Sequence, residues 1–168
     1  VAYLPNIPEA TIGFLAANSL GAIWSSCSPD FGAQSVIDRF KQIKPKVLIT
    51  VDGYFYNGKD YDQRPVVSKL AKSIHSLEKV IYIPYQDPTH ELDKDLKSSN
   101  WTEALKGRSE DLKFTPVPFD HPIWVLYSSG TTGQPKAITH SHGGVLLEHL
   151  KYLAFHNDVH PGERFFWF

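Results

Sequence analysis

Methionine is absent from all 168 residues, and cysteine occurs once, as Cys27. A chain that opens Val-Ala-Tyr-Leu, already strand-like and without a methionine, reads as an internal piece of a longer polypeptide. One thiol excludes an internal disulfide and fits a reducing compartment. An excess of either charge is missing too: 17 Lys and Arg face 18 Asp and Glu, for a formal net charge of −1. No global field therefore recruits nucleic acid or an anionic membrane. No apolar run approaches the ~20 residues needed to span a bilayer, and no secretory signal pattern opens the chain. Neither a G-x-G-x-x-G dinucleotide fingerprint nor a repeat of solenoid period occurs.

The composition that remains is globular: 42% apolar, 13% aromatic and 21% charged. It supports one packed core, in a length short for a two-substrate enzyme with its own lid. The opening VAYLPNIPEATIGFLAANSLG reads strand, turn, helix. Asn6 and Glu9 have capping-box spacing, Pro8 suits the first turn, Ile12, Leu15, Ala16 and Leu20 share a face, and Gly21 supplies a left-handed stop. AIWSSCS reads as a strand. Asp30 is positioned to cap a helix whose apolar stripe is Val36, Ile37, Phe40 and Ile43, ended by Lys44-Pro45. KVLIT follows as a strand buried on both faces.

Strand–helix–strand–helix–strand predicts an α/β fold, a parallel sheet covered by helices. Residues 51–64 read as an exposed aromatic loop. A helix over Val66–Leu77 and a strand over Val80–Ile83 repeat the unit. Residues 84–122 turn polar and proline-rich, a solvated excursion holding at most a short helix at Trp101–Leu105. Ile123–Tyr127 resumes the buried-strand pattern, followed by a glycine loop, a strand (AITHS), a helix over Gly144–Phe155 and a strand at RFFWF. Trp24, Trp124 and Trp167 fall in predicted strands as core, Cys27 is a small packed residue, and Leu146, Leu147 and Leu150 form a core stripe.

The chemistry concentrates in 127-YSSGTTGQPKAITHSHGG-144. Gly130 and Gly133 let backbone N–H groups turn toward an anion, Ser128, Ser129, Thr131 and Thr132 add hydroxyls, and Lys136 adds a point charge. A strand leading into such a loop places it at the carboxyl end of a sheet, where open α/β folds bind ligands. Pro135 before Lys136 and Ala137 after it exclude a Walker A loop. His140 and His142 form an H-x-H pair with no third metal ligand at recognisable spacing; they read as the end of a strand and the start of a helix, with Ser141 as N-cap.

SSGTTGQPK resembles the phosphate-loop signature of the adenylate-forming superfamily, which includes acyl-CoA synthetases, luciferases and peptide-synthetase adenylation domains. With YLPNIPEATIGFLAANSLGAIWSSCSPDFG, LYSSGTTGQPKAITHSHGGVLLEHLK and ERFFWF, the chain is similar to the acetoacetyl-CoA synthetase branch. The likeness covers nearly the whole chain and is least distinctive over residues 84–118. Ala137 departs from the glycine common in the superfamily and suits that branch.

The resemblance implies part of a large amino-terminal domain over residues 1–168, with parallel sheets layered with helices. The carboxy-terminal lid, its lysine and the adenine and ribose motifs would lie elsewhere. It implies formation of acetoacetyl-CoA, AMP and pyrophosphate from acetoacetate, CoA and ATP, in the cytosol. On this likeness Ser128, Ser129, Gly130, Thr131, Thr132, Gly133, Gln134 and Pro135 hold the ATP phosphates, and Lys136 offsets charge on the leaving pyrophosphate. Mg²⁺ bridges phosphate oxygens without a protein ligand in this stretch. Asn57, Gly58 and Lys59 stand where related short-chain synthetases contact CoA phosphates, though an ordinary turn would carry the same residues. Rival readings are an acetate or propionate synthetase and a non-catalytic, truncated nucleotide-binding or interaction protein. The 168 residues alone are expected to show no ligase activity; ATP-dependent thioester formation by them in isolation would contradict this.

Overall fold

The computed structural model describes residues 1–89, 97–107, 111–129 and 133–166. The first elements are β1 (Ala2–Tyr3), α1 (Pro8–Ser19), β2 (Ser26–Cys27), α2 (Ala33–Ile43), β3 (Val47–Val51), β4 (Gly53–Tyr56) and β5 (Lys59–Asp62). They are followed by α3 (Arg64–Ser73), β6 (Lys79–Ile83), β7 (Ser98–Asn100), α4 (Trp101–Ala104), β8 (Pro122–Ser128), β9 (Lys136–Ser141) and α5 (His142–Lys151), which runs into a π-helical turn, Tyr152–His156.

The predicted parallel sheet is present in the order β2-β1-β3-β6-β7. Ala2 pairs with both Ser26 and Ile49, and Ile49 pairs in turn with Ile81. Alternation along these strands sorts side chains onto two faces. Tyr3, Cys27, Leu48 and Val80 meet Val36, Ile37 and Phe40 of α2 and Leu70 of α3 on one side. Ala2, Leu4, Ile49, Val51 and Ile83 meet Ala10, Phe14 and Ala17 of α1 on the other. The result is a three-layer α/β domain. Its strand order reverses at β1, because α1 leads to one neighbour of β1 and α2 carries the chain past it to the other.

Several expectations give way. α1 buries the opposite side from Ile12, Leu15, Ala16 and Leu20, all of which are exposed. The helix is apolar on every side, and the close approach is decided by Gly13. A Cβ there would stand 3.0 Å from Ile49 Cδ1 and 3.2 Å from the Trp24 ring. The Asn6–Glu9 capping box does not form; the N-cap is Ile7, whose buried side chain fixes the helix entry. Gly21 does close the helix, with φ of 71°. Its N–H donates to Asn18 and that of Ala22 to Ala17, the two bonds of a Schellman motif.

Asp30 does not cap α2; Gly32 occupies that position. The segment ahead of the helix is drawn to the sheet instead, where the Tyr3 hydroxyl lies 2.8 Å from the Pro29 carbonyl and 2.7 Å from that of Phe31. Residues 51–64 are no loop but a hairpin, β4 against β5, turning on Asn57 (φ 48°) and Gly58 (φ 76°). Asn-Gly at two left-handed positions is the favoured two-residue hairpin turn, a signal masked by the surrounding tyrosines. α3 starts two residues early at Arg64, with Pro65 in its first turn, and stops at Ser73 because buried Ile74 leaves helical geometry. β7 has polar residues and no strand signature, yet pairs with β6. Asn100 and Glu103 then form the capping box of α4.

Ile123–Tyr127 extends to β8, but only Val125 in it is buried. It pairs antiparallel with β9 in a separate two-stranded sheet and bridges to the first half of the chain at Trp24. Leu146, Leu147 and Leu150 are exposed. α5 approaches its neighbours most closely at its first turn, where a Cβ on Gly143 would overlap the Phe119 ring, and further along the His149 ring lies 6.1 Å from that of Trp124. Arg164–Phe166 form no strand, and Trp167 lies outside the described residues.

Phe40, fully buried beneath α2, therefore matters more than the leucine stripe of α5. Phe40→Ala should cost about 3–5 kcal/mol in urea unfolding, whereas Leu146→Ala should change stability by no more than ~0.5 kcal/mol. The reverse order would refute this packing.

Candidate active site

The glycine loop joins β8 to β9. Cα pairing runs from Pro122↔Ser141 to Ser128↔Lys136, so the first hydroxyl and the lysine of the signature face each other across the hairpin. Antiparallel pairing does what sequence adjacency cannot. Residues eight positions apart (136 − 128) become direct cross-strand neighbours. Ser129, Gly133, Gln134 and Pro135 flank the loop on its two sides; Gly130, Thr131 and Thr132 lie outside the described residues. Gly133 has φ of 98°, a conformation open to glycine at little cost. Lys136 is exposed, and among the described residues no carboxylate is ion-paired with it.

The hairpin is fixed to the main sheet near its start. Trp24 N–H donates to the Ile123 carbonyl at 3.0 Å, Val125 N–H donates to the Trp24 carbonyl at 2.8 Å, and Ser25 Oγ donates to the Val125 carbonyl at 2.7 Å. β8 thus leaves Trp24 running parallel to β2. At its far end α2 takes over. The Tyr127 hydroxyl donates to the Arg39 carbonyl at 2.7 Å, and Gln42 Nε2 donates to the Pro135 carbonyl at 3.0 Å. The Arg39 guanidinium lies over the rings of Phe31 and Tyr127, 4.8 and 5.9 Å from their centroids.

His140 has a hydrogen-bonding partner, whereas His142 has a ring neighbour and a buried Nε2 with no partner among the described residues. Trp124 Nε1 donates to His140 Nδ1 at 3.0 Å. The His142 ring lies 5.8 Å from that of His121, whose Nε2 donates to the Gly21 carbonyl at 2.9 Å. Ser141 caps α5 as expected, accepting from Gly144 N–H at 3.1 Å. Among the described residues no three His, Cys, Asp or Glu side chains are placed to hold a metal ion together. The backbone N–H groups and the ammonium at the loop suit an anion; a Mg²⁺ ion would be held mainly by the oxygens of a bound phosphate, with the loop hydroxyls as the neighbouring protein oxygens.

Asn57, Gly58 and Lys59 sit at the tip of the β4–β5 hairpin, in a different two-stranded sheet from the glycine loop, and all three are exposed. Tyr54 and Tyr61 stack across its base at 4.9 Å. The buried Asp52 carboxylate accepts the N–H groups of Tyr85, Gln86 and Asp87, holding the neighbouring turn. A cleft of about 400 Å³ also opens at the carboxyl ends of β1 and β2, with Asn6, Thr11, Ser26 and Ser28 among its polar lining and Phe14 and Trp24 among its apolar lining. Sequence reading missed it. The one available signal was that Pro5-Asn6 and Ser28-Pro29 each end a strand beside the reversal in strand order.

A family model described as "AMP-binding enzyme" matches residues 1–168. The chain is 46% identical over 169 residues to acetoacetyl-coenzyme A synthetase of Rhizobium meliloti (strain 1021), covering 99% of this chain and 26% of that protein. It is 40% identical over 165 residues to acetoacetyl-CoA synthetase of Rattus norvegicus, covering 95% and 25%. A solved structure, acetoacetyl-CoA synthetase from Streptomyces lividans, superposes with a TM-score of 0.91 at 51% identity, over 99% of this chain and 25% of that one. The chain thus spans about a quarter of the length of the relatives it matches.

Burial pushes the Tyr127 phenol up from its ordinary value of 10 to about 12. A raised folded-state value means the protonated phenol stabilises the fold. That contribution is complete below pH 10 and is lost as the pH rises through about 12. Alkaline unfolding of Tyr127→Phe should accordingly be less steep in this window than that of the parent. An identical pH profile would show that Tyr127 ionises at the same pH in the folded and unfolded chain.

Proposed function

The chain belongs to the AMP-binding enzyme family, and from that premise we propose that it is the phosphate-gripping part of an acid–thiol ligase acting on acetoacetate. The observation that carries the reading is the pairing of Ser128 with an exposed Lys136 across the SSGTTGQPK hairpin. It occurs in a chain whose matched relatives are named acetoacetyl-CoA synthetase.

In the first step a carboxylate oxygen of acetoacetate attacks the α-phosphorus of ATP. The bond from that phosphorus to the bridging oxygen breaks, and pyrophosphate departs with the electron pair. In the second step the sulfur of CoA attacks the carbonyl carbon of the acyl-adenylate, AMP leaves, and the thiol proton goes to solvent. Such transfers depend on positioning and charge neutralisation more than on covalent help from the protein. Ser128, Ser129, Gly130, Thr131, Thr132, Gly133, Gln134 and Pro135 form the cradle for the β- and γ-phosphates. Lys136 neutralises charge developing on the departing pyrophosphate; a Mg²⁺ ion, when bound with the nucleotide, would supply further positive charge there. Asn57, Gly58 and Lys59 offer a turn and an ammonium to the phosphates of CoA. Residues 1–168 form part of an amino-terminal domain, a carboxy-terminal lid completes the site, and the enzyme works in the cytosol. Among the described residues no helix is long and apolar enough to cross a membrane.

In a protein carrying these residues at the length of its relatives, acetoacetate should drive ATP–pyrophosphate exchange better than acetate or propionate. Lys136→Ala should slow that exchange by roughly 100-fold or more, the scale seen when a group aimed at developing charge is removed, with little change in KM for the acid. Preference for acetate would move the chain to the rival acyl-CoA synthetases. Exchange with none of the three acids would overturn the ligase reading.

A further inference from the structure

Helix α2 carries two stripes. Val36, Ile37 and Phe40 are buried against the sheet, while Ser35, Arg39 and Gln42 follow one another at helical spacing on another side. Both stems of the glycine loop reach this second stripe. The entry stem does so through the Tyr127 hydroxyl on the Arg39 carbonyl, and the exit stem through the Pro135 carbonyl, which accepts from Gln42. The two contacts link residues 88 and 93 positions apart, so neither is a by-product of local chain geometry.

The exit contact is the more telling. Proline has no N–H to give to the ladder, so the carbonyl is the only backbone polar group Pro135 can offer. Lys136 follows in sequence, and any drift of the Pro135 peptide moves the Lys136 Cα. Gln42 is itself exposed and has no part in the core. Its amide also donates to the Asp38 carbonyl one turn back at 2.8 Å, which fixes the side chain along the helix. The Arg39 side chain is braced as well, by Ser35 and by the Phe31 ring.

We infer that α2 is the anchoring platform of the phosphate loop, and that Gln42 and Tyr127 are positioning residues that hold the hairpin bearing Ser128 and Lys136 against α2 without touching ATP. This rests on the ligase reading for its kinetic consequence, though not for its structural one. Each tether is a single neutral hydrogen bond. Loss of one corresponds to roughly 3- to 10-fold in an equilibrium or rate.

The test uses the protein at the length of its relatives, with Gln42→Ala, the near-isosteric donor-free Gln42→Glu and Tyr127→Phe. Gln34→Ala serves as control; Gln34 is exposed on the same helix and donates to Asp38 Oδ1, away from the loop. Gln42→Ala and Gln42→Glu should raise KM for ATP roughly 3- to 10-fold and leave KM for acetoacetate and CoA and the urea midpoint as in the parent. Gln34→Ala should change none of these. Hydrogen exchange without nucleotide gives a readout independent of activity: the segment from Tyr127 to Ala137 should take up deuterium several-fold faster in Gln42→Ala and Tyr127→Phe. If both variants exchange at the parental rate there, the platform is refuted, whatever the enzyme does. If acid-dependent exchange of pyrophosphate is absent while deuterium uptake rises, the ligase reading fails and the platform stands.

Discussion

The packing of α2 against the sheet is the constraint on which the rest of the site depends. Phe40, Val36 and Ile37 pin the helix over Tyr3, Leu48 and Val80. Once its inner face is fixed, its outer stripe has a fixed position too, and the hairpin of β8 and β9 is referenced to that stripe. A loop that grips a polyanion needs freedom to admit it and a rigid base to aim it. Here the base comes from a helix on the sheet, not from the hairpin's own burial, since Val125 is the one buried residue of β8. On the proposed reading, the loop glycines and the exposed Lys136 are what the phosphates would meet.

The segment ahead of α2 extends the same logic back into the core. Tyr3 places its hydroxyl against Pro29 and Phe31, and Gln63 Nε2 donates to the Pro29 carbonyl at 2.7 Å. Burial raises the ionisation of the Tyr3 phenol well above its ordinary range, with like-signed effects from Tyr54 and Asp30, so the group stays a neutral hydrogen-bonding partner. Burial likewise pushes the neighbouring Cys27 thiol up to about 11, the behaviour of a packed residue and not of a nucleophile. A chain of hydrogen bonds and packing contacts thus runs from buried Tyr3 of β1 to the carbonyls of Pro29 and Phe31, and from α2 to the loop.

Much of this was legible in the sequence. The parallel sheet followed from KVLIT and Val80–Ile83 alternating with helical stripes, and α2 from Val36, Ile37, Phe40 and Ile43. The loop followed from its glycines, hydroxyls and Lys136, although its standing as an adenylate-forming signature came from resemblance and not from spacing. What failed did so for identifiable reasons. α1 is apolar all round, so periodicity could not choose between Leu15 and Phe14; Gly13 chose, through contact with a strand distant in sequence. The leucines of α5 have the pattern of a core stripe, but the helix meets its neighbours most closely at Gly143. β7 is recruited by the edge of β6 in spite of its polar residues. The tethers from Gln42 and Tyr127 were invisible because they are single side-chain-to-backbone bonds across some 90 positions, with no motif to announce them.

The central claim is that the β8–β9 hairpin, set by α2, is the phosphate half of an ATP site. The measurement that meets it most directly is a crystal structure of the protein at the length of its relatives, bound to a non-hydrolysable ATP analogue. The account places the β- and γ-phosphates between Ser128 and Lys136, with the Gln42–Pro135 and Tyr127–Arg39 hydrogen bonds retained. Phosphates bound elsewhere, or bound at the hairpin with both tethers broken, would contradict it.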